Sequence, residues 1–219
     1  MVVTPIPSIS QIHSAILGEG EWKGFVKRKA GNSEMPELID VIIERNWLMS
    51  DNTKILVRKA RDQDIPAVVE IDAEAFSPYG TAEKPETFQL RLTAFPDGFI
   101  ILVADNEIAA YGCSEKWLTE REPGLDENPL VTHQPDGRIF CITAMAVKMN
   151  YRGKGFGLLI LDRLIELARR EGCRKIILET THAQGLFLKR GFQTVQNRTE
   201  RAISLDVMSL DLKSHGRND

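Results

Sequence analysis

The feature that most limits how this chain can fold is the segment Arg152-Gly153-Lys154-Gly155-Phe156-Gly157. It lies between an apolar run, Ile139 to Val147, and a stretch with apolar residues at Leu158, Leu161, Leu164, Ile165 and Ala168. The run reads as a buried strand. The repeat reads as one face of a helix from Gly155 to Arg170, ended by Gly172. A strand must therefore become a helix within a few residues. Glycines at alternate positions permit the tight turn and bring successive N–H groups close to a ligand. The helix start adds unpaired N–H groups and partial positive charge, while Arg152 and Lys154 add full charge. Beyond a plain turn, such a segment suits a pyrophosphate. Its G-x-G-x-G spacing departs from the G-x-G-x-x-G of dinucleotide-binding folds, and no P-loop pattern is present.

Regular alternation begins at Lys54. Ile55 to Arg58 is a predicted strand, and Asp62 caps a helix with Ile65, Val68, Val69 and Phe76 on its apolar face. A second helix is predicted over residues 85–94, carrying Phe88 and Leu92. Residues 99–104 form a buried strand, and the turn Asp105-Asn106 leads into a hairpin partner over 108–117. Residues 119–137 form a long loop with Glu120, Glu122, Asp126, Glu127 and Asp136, which suits a cationic ligand or simply a solvated surface. A strand over 175–179, a short helix from His182 to Arg190 and strands over 192–195 and 203–210 complete the order. Strands and helices interleaved in this way imply an α/β or α+β domain with a mixed sheet, over residues 53–219. Residues 1–52 read as an arm with one short helix, because Met35, Leu38, Ile39, Ile42 and Ile43 recur at helical spacing. Such a helix is marginal alone, so it is expected to dock on the domain or on a second copy in a homodimer.

A formal net charge of -3 gives no basic stripe for nucleic acid. Cys113, Cys141 and Cys173 are far apart and odd in number, so neither a disulfide framework nor a zinc or other metal site is expected. No apolar run reaches the roughly 18 residues of a membrane span, and the start lacks a signal-peptide pattern. The expected compartment is the cytoplasm.

The glycine segment resembles the cofactor loop of the GNAT superfamily of N-acetyltransferases. The family pattern is Arg or Gln, two residues, Gly, one residue, then Gly or Ala, after a strand ending in a small-Val pair. Arg152, Gly155 and Gly157 match it after Ala146-Val147. A second family motif follows about 35 residues later, in Leu186-Phe187-Leu188-Lys189-Arg190-Gly191-Phe192. The resemblance covers roughly residues 54–212.

The resemblance implies a mostly antiparallel central sheet flanked by helices, with one parallel pair splayed apart, residues 139–147 against 175–179. It implies acetyl-CoA as co-substrate. The pantetheine arm would bond the backbone of Met145, Ala146 and Val147, and the pyrophosphate would rest on Arg152, Gly153, Lys154, Gly155, Phe156 and Gly157. The reaction implied is direct attack of a primary amine, from a small molecule or a peptide, on the thioester in a ternary complex. The amine must lose a proton, which calls for a base. Glu179 and Glu115 are the candidates, each otherwise a solvated carboxylate. Cys141 and Thr143 stand where many relatives carry the base or its relay, and neither is a good base at neutral pH. Phe187, grouped with the cofactor contacts, occupies the place of the tyrosine that protonates the departing thiolate in many relatives. His182 is a substitute proton donor or a helix cap. An acetyl-CoA sensor without catalysis, and a Cys141 nucleophile paired with His182, are the competing readings.

Overall fold

Two residues in the left-handed region, Asp105 at φ 50° and Asn106 at φ 68°, close the hairpin on which the sheet is built. The computed structural model describes residues 26–27, 41–44, 54–200 and 202–212. Within them run β1 (Val26–Lys27), β2 (Val41–Glu44), β3 (Lys54–Lys59), β4 (Phe99–Ala104), β5 (Glu107–Trp117), β6 (Ile139–Val147), β7 (Lys175–Thr180), β8 (Gln193–Glu200) and β9 (Ile203–Asp211). The helices are α1 (Ile65–Phe76), α2 (Pro85–Ala94), α3 (Pro129–Thr132), α4 (Phe156–Arg170) and α5 (Gln184–Leu188). The strands form one sheet in the order β1-β2-β3-β4-β5-β6-β7-β9-β8. Every neighbouring pair is antiparallel except β6 and β7, which are parallel.

The long helix α4 covers one face. Its Ile160, Leu161, Leu164 and Ala168 are fully buried, with Phe140, Ile142, Ile176, Leu178 and Met208 from the strands beneath. Gly112 on β5 permits that closeness, because a Cβ there would stand 2.7 Å from Ile160 and 3.0 Å from Leu164. Helices α1 and α2 cover the other face, around Val68, Ile71, Phe88, Phe99 and Tyr111. The chain 119–137, including α3, lies beyond them on that same face, over a small cluster of Trp117, Ile139, Cys141, Ile177 and Val207.

The expected elements from Lys54 onward are all present, with two corrections of detail. A 3-10 turn over Asp62–Asp64 delays α1 to Ile65. Asp64, and not Asp62, organises this start: it accepts from the Arg61 N–H at 2.8 Å and pairs with Arg58 at 2.7 Å. The buried face of α1 is accordingly Ile65, Val68, Ile71 and Asp72, with Val69 and Phe76 only half-buried. Ile42 and Ile43, expected on a helix, lie instead in β2 and pair with Leu56 and Ile55 of β3. Met35, Leu38 and Ile39 lie outside the described residues. A strand edge open on β3 is satisfied by β-pairing, which local helical periodicity does not register.

Candidate functional site

The site begins where β6 leaves β7. Pairing runs from Ile139 with Lys175 to Ile142 with Leu178 and then stops, so Thr143 to Val147 continue without β7. A β-bulge marks the departure. On β5, Cys113 pairs with Ala144 and Ser114 with Ile142, leaving Thr143 as the extra residue on β6. A bulge bends and twists its strand, which swings the end of β6 away from its neighbour. Met145, Ala146 and Val147 stay bonded to Gly112, Tyr111 and Ala110 on the β5 side. Backbone groups alternate in direction along a strand, so those facing the gap are available to an inserted extended chain. Thr143 Oγ1, at the root of the gap, is buried without a hydrogen-bond partner among the described residues.

Past Val147 the chain makes a 3-10 turn over Met149–Tyr151, and Gly155 at φ +81° launches α4. Gly153 sits at φ +77°, and a Cβ on either glycine would meet nothing within 4 Å. That open space lies beside the first-turn N–H groups of α4, which have no intrahelical acceptors. The Arg152 guanidinium donates to the Val147 carbonyl at 3.0 Å, and Lys154 Nζ stands 5.0 Å from the Tyr151 ring centroid. The Tyr151 ring stacks on Phe156, and its hydroxyl donates to Glu107. Gly157 lets α5 pack closely on α4, since a Cβ there would stand 2.8 Å from the end of the Leu186 side chain. Phe187 is buried on α5 against Phe192, with ring centroids 5.7 Å apart. A gap for an extended arm that ends on a glycine-lined helix N-terminus fits the shape and charge of a pantetheine diphosphate.

The face opposite α4 carries the ionisable candidates. Glu115 is only 2% exposed. It accepts from Arg91 at 2.8 Å, from the Trp117 indole at 3.2 Å and from the Thr132 hydroxyl. Arg91 in turn holds Glu83 through both ends of its guanidinium. This carboxylate therefore ties β5 to α2 and, through Thr132, to α3. Glu179 is less enclosed. Arg198 on β8 grips it through Nε at 2.5 Å and Nη2 at 3.0 Å. Burial pushes the Glu179 carboxyl above its ordinary range, against the opposing pull of Arg198. Cys141 is fully buried, and burial drives its thiol well above the usual range, an environment that suits a structural thiol and disfavours the thiolate.

His182 follows β7 and packs its ring on Tyr79, centroids 4.7 Å apart. Both line an open cleft of about 540 Å³ with Pro78, Gln184, Ser204 and Asp206. The cleft thus lies where the α1–α2 connection, the end of β7 and the β8–β9 turn meet. Sequence reasoning misses Arg198, Arg91 and Tyr79. Each takes its meaning from a partner far along the chain, and no local pattern marks them.

The family described as "Acetyltransferase (GNAT) family" matches residues 65–192, from the start of α1 to just past α5. A protein of Bacillus subtilis (strain 168) named as a ribosomal protein bS18-alanine N-acetyltransferase is 30% identical over 146 residues, covering 64% of this chain and 82% of that protein. An Oryza sativa subsp. japonica protein named as a glucosamine 6-phosphate N-acetyltransferase is 30% identical over 111 residues, covering 46% of this chain and 58% of that protein. The loading GNATL domain of CurA from Lyngbya majuscula superposes with a TM-score of 0.64 at 13% identity, covering 72% of this chain and 97% of that one. At that identity the likeness is one of fold.

Proposed function

The chain belongs to the acetyltransferase (GNAT) family, and from that premise we propose that it moves the acetyl group of acetyl-CoA onto a primary amine by direct attack in a ternary complex. The observation that carries this reading is the gap beyond Ile142 and Leu178, which opens onto the Gly155 helix start. The backbone of Met145 to Val147 takes the pantetheine amides, and the N–H groups after Gly155, with Arg152 and Lys154, take the pyrophosphate. The amine enters from the opposite face, through the cleft of Tyr79 and His182.

The neutral amine nitrogen attacks the thioester carbonyl carbon. A backbone N–H near Val147 polarises the carbonyl oxygen as negative charge builds there. The C–N bond forms, the C–S bond breaks, and CoA leaves as a thiolate that takes one proton. The amine proton passes to Glu179, directly or through one water. Glu115 is bonded on every side by Arg91, Trp117 and Thr132, which favours Glu179 for this role. Phe187 offers no hydroxyl, so the thiolate draws its proton from solvent or from His182. Free thiols titrate near 8.5, which makes this leaving group undemanding.

Glu122, Glu179 and Glu200 lie around one guanidinium, an excess of negative charge that suits a cationic acceptor. The relatives are named for alanine of a ribosomal protein and for glucosamine 6-phosphate. Purified protein with acetyl-CoA is therefore to be screened against peptides, amino acids, polyamines, aminoglycosides and amino sugars. Thiol release, with a mass gain of one acetyl group on an acceptor, is the expected result. CoA binding with no transfer to any amine would overturn the proposal in favour of a sensor.

A further inference from the structure

Arg198 bonds Glu179, Glu200 and the Pro123 carbonyl at once. We propose that it is a positioning residue, which aims the Glu179 carboxylate and ties the 119–137 loop to the β8–β9 hairpin. This rests on the reading of Glu179 as the base. The guanidinium donates to both Glu179 oxygens, at 2.5 and 3.0 Å, and from Nη2 to Glu200 at 2.5 Å and the Pro123 carbonyl at 2.7 Å. Glu122 lies 3.9 Å from Nε and accepts from Gln196 at 2.6 Å. One planar fork thus joins β7, β8 and the loop. A lysine, as a single point of charge, cannot span such a set.

The register of β8 supports the assignment independently. Thr194 pairs with Met208 and Gln196 with Val207, so Val195 is an extra residue that breaks the alternation. Val207 also pairs with Glu179. Cross-strand partners share a face, so the bulge puts Gln196, and with it Arg198 and Glu200, on the face of Glu179. Without it, Arg198 would point to the α4 side. An irregular residue, 55% exposed, thus sets this contact.

The charged groups facing Glu179 are Arg198 and Glu200 from β8 and Glu122 from the loop; β9 presents Val207. Burial and the two glutamates favour the protonated acid, and Arg198 opposes them. The test is a ¹³C NMR titration of the Glu179 side-chain carboxyl in the protein alone, its signal assigned by loss in Glu179→Gln. Arg198→Met is expected to raise the midpoint by about 1–3 pH units. Arg198→Lys, which keeps charge but not the fork, is expected to fall between, and it serves where the methionine variant does not fold. A midpoint unmoved in both overturns the proposal, even where Glu179→Gln abolishes transfer. A moved midpoint with normal transfer by Glu179→Gln overturns it differently, by removing Glu179 from the reaction.

Discussion

Gly155 combines a left-handed φ of +81° with open space where a side chain would stand. A β-branched residue there adds strain on the order of 1–2 kcal/mol and puts its Cβ in the path of the pyrophosphate. Gly155→Val is therefore expected to weaken CoA binding by about tenfold or more, read by calorimetry. Unchanged affinity would move the pyrophosphate elsewhere. Glu179 lies on the other side of the sheet from α4, and in the proposed reaction it meets the amine and not CoA. Glu179→Gln is expected to lower kcat by roughly 10²–10⁴-fold with CoA affinity intact. Normal turnover in this variant would shift the role to Glu115 or to a water held by Thr143, whose hydroxyl is buried and unbonded among the described residues.

At the scale of elements, the site depends on how closely α4 lies on the sheet. Gly112 on β5 leaves room for Ile160 and Leu164, so α4 lies close on the sheet with its N-terminus after β6. Gly112→Val drives a branched side chain into both residues. Overpacking of this kind costs about 1–3 kcal/mol, so the urea midpoint should fall, and CoA affinity with it as the helix start is displaced. A variant as stable as the parent would mean that α4 can shift freely, and that the cradle is less tightly built than its packing indicates. The bulges at Thr143 and Val195 work the same way from within strands. One parts β6 from β7 where the acyl donor is proposed to enter, and the other turns Arg198 toward Glu179.

At the scale of the whole molecule, one buried acid links α1 to the sheet and to the chain entering α2. Asp72 on α1 accepts from the Tyr111 hydroxyl and from the Glu83 N–H at 2.8 Å. Burial raises its carboxyl from 3.8 to about 6. Between those values the folded protein holds a proton that the unfolded chain has released. The contribution to stability is thus full below pH 3.8 and is lost as pH rises through about 6. Relative to Asp72→Asn, which does not titrate, the wild type should lose up to about 3 kcal/mol between about pH 4 and about pH 7.5. Urea unfolding of both proteins across that range measures it; a constant difference would mean that Asp72 titrates alike folded and unfolded. The sequence alone determined the order of elements from Lys54, the strand–glycine–helix cradle and the family, because these follow from local periodicity, glycine spacing and two short motifs. It could not distinguish the roles of Glu115 and Glu179, since what a carboxylate does depends on which cations reach it. Arg91 comes from 24 residues before Glu115, and Arg198 from 19 after Glu179. Only the tertiary fold, with bulges that reset which face each strand residue occupies, decided that Glu115 is enclosed as a tie between β5, α2 and α3 and that Glu179 is held by Arg198 on the face opposite α4.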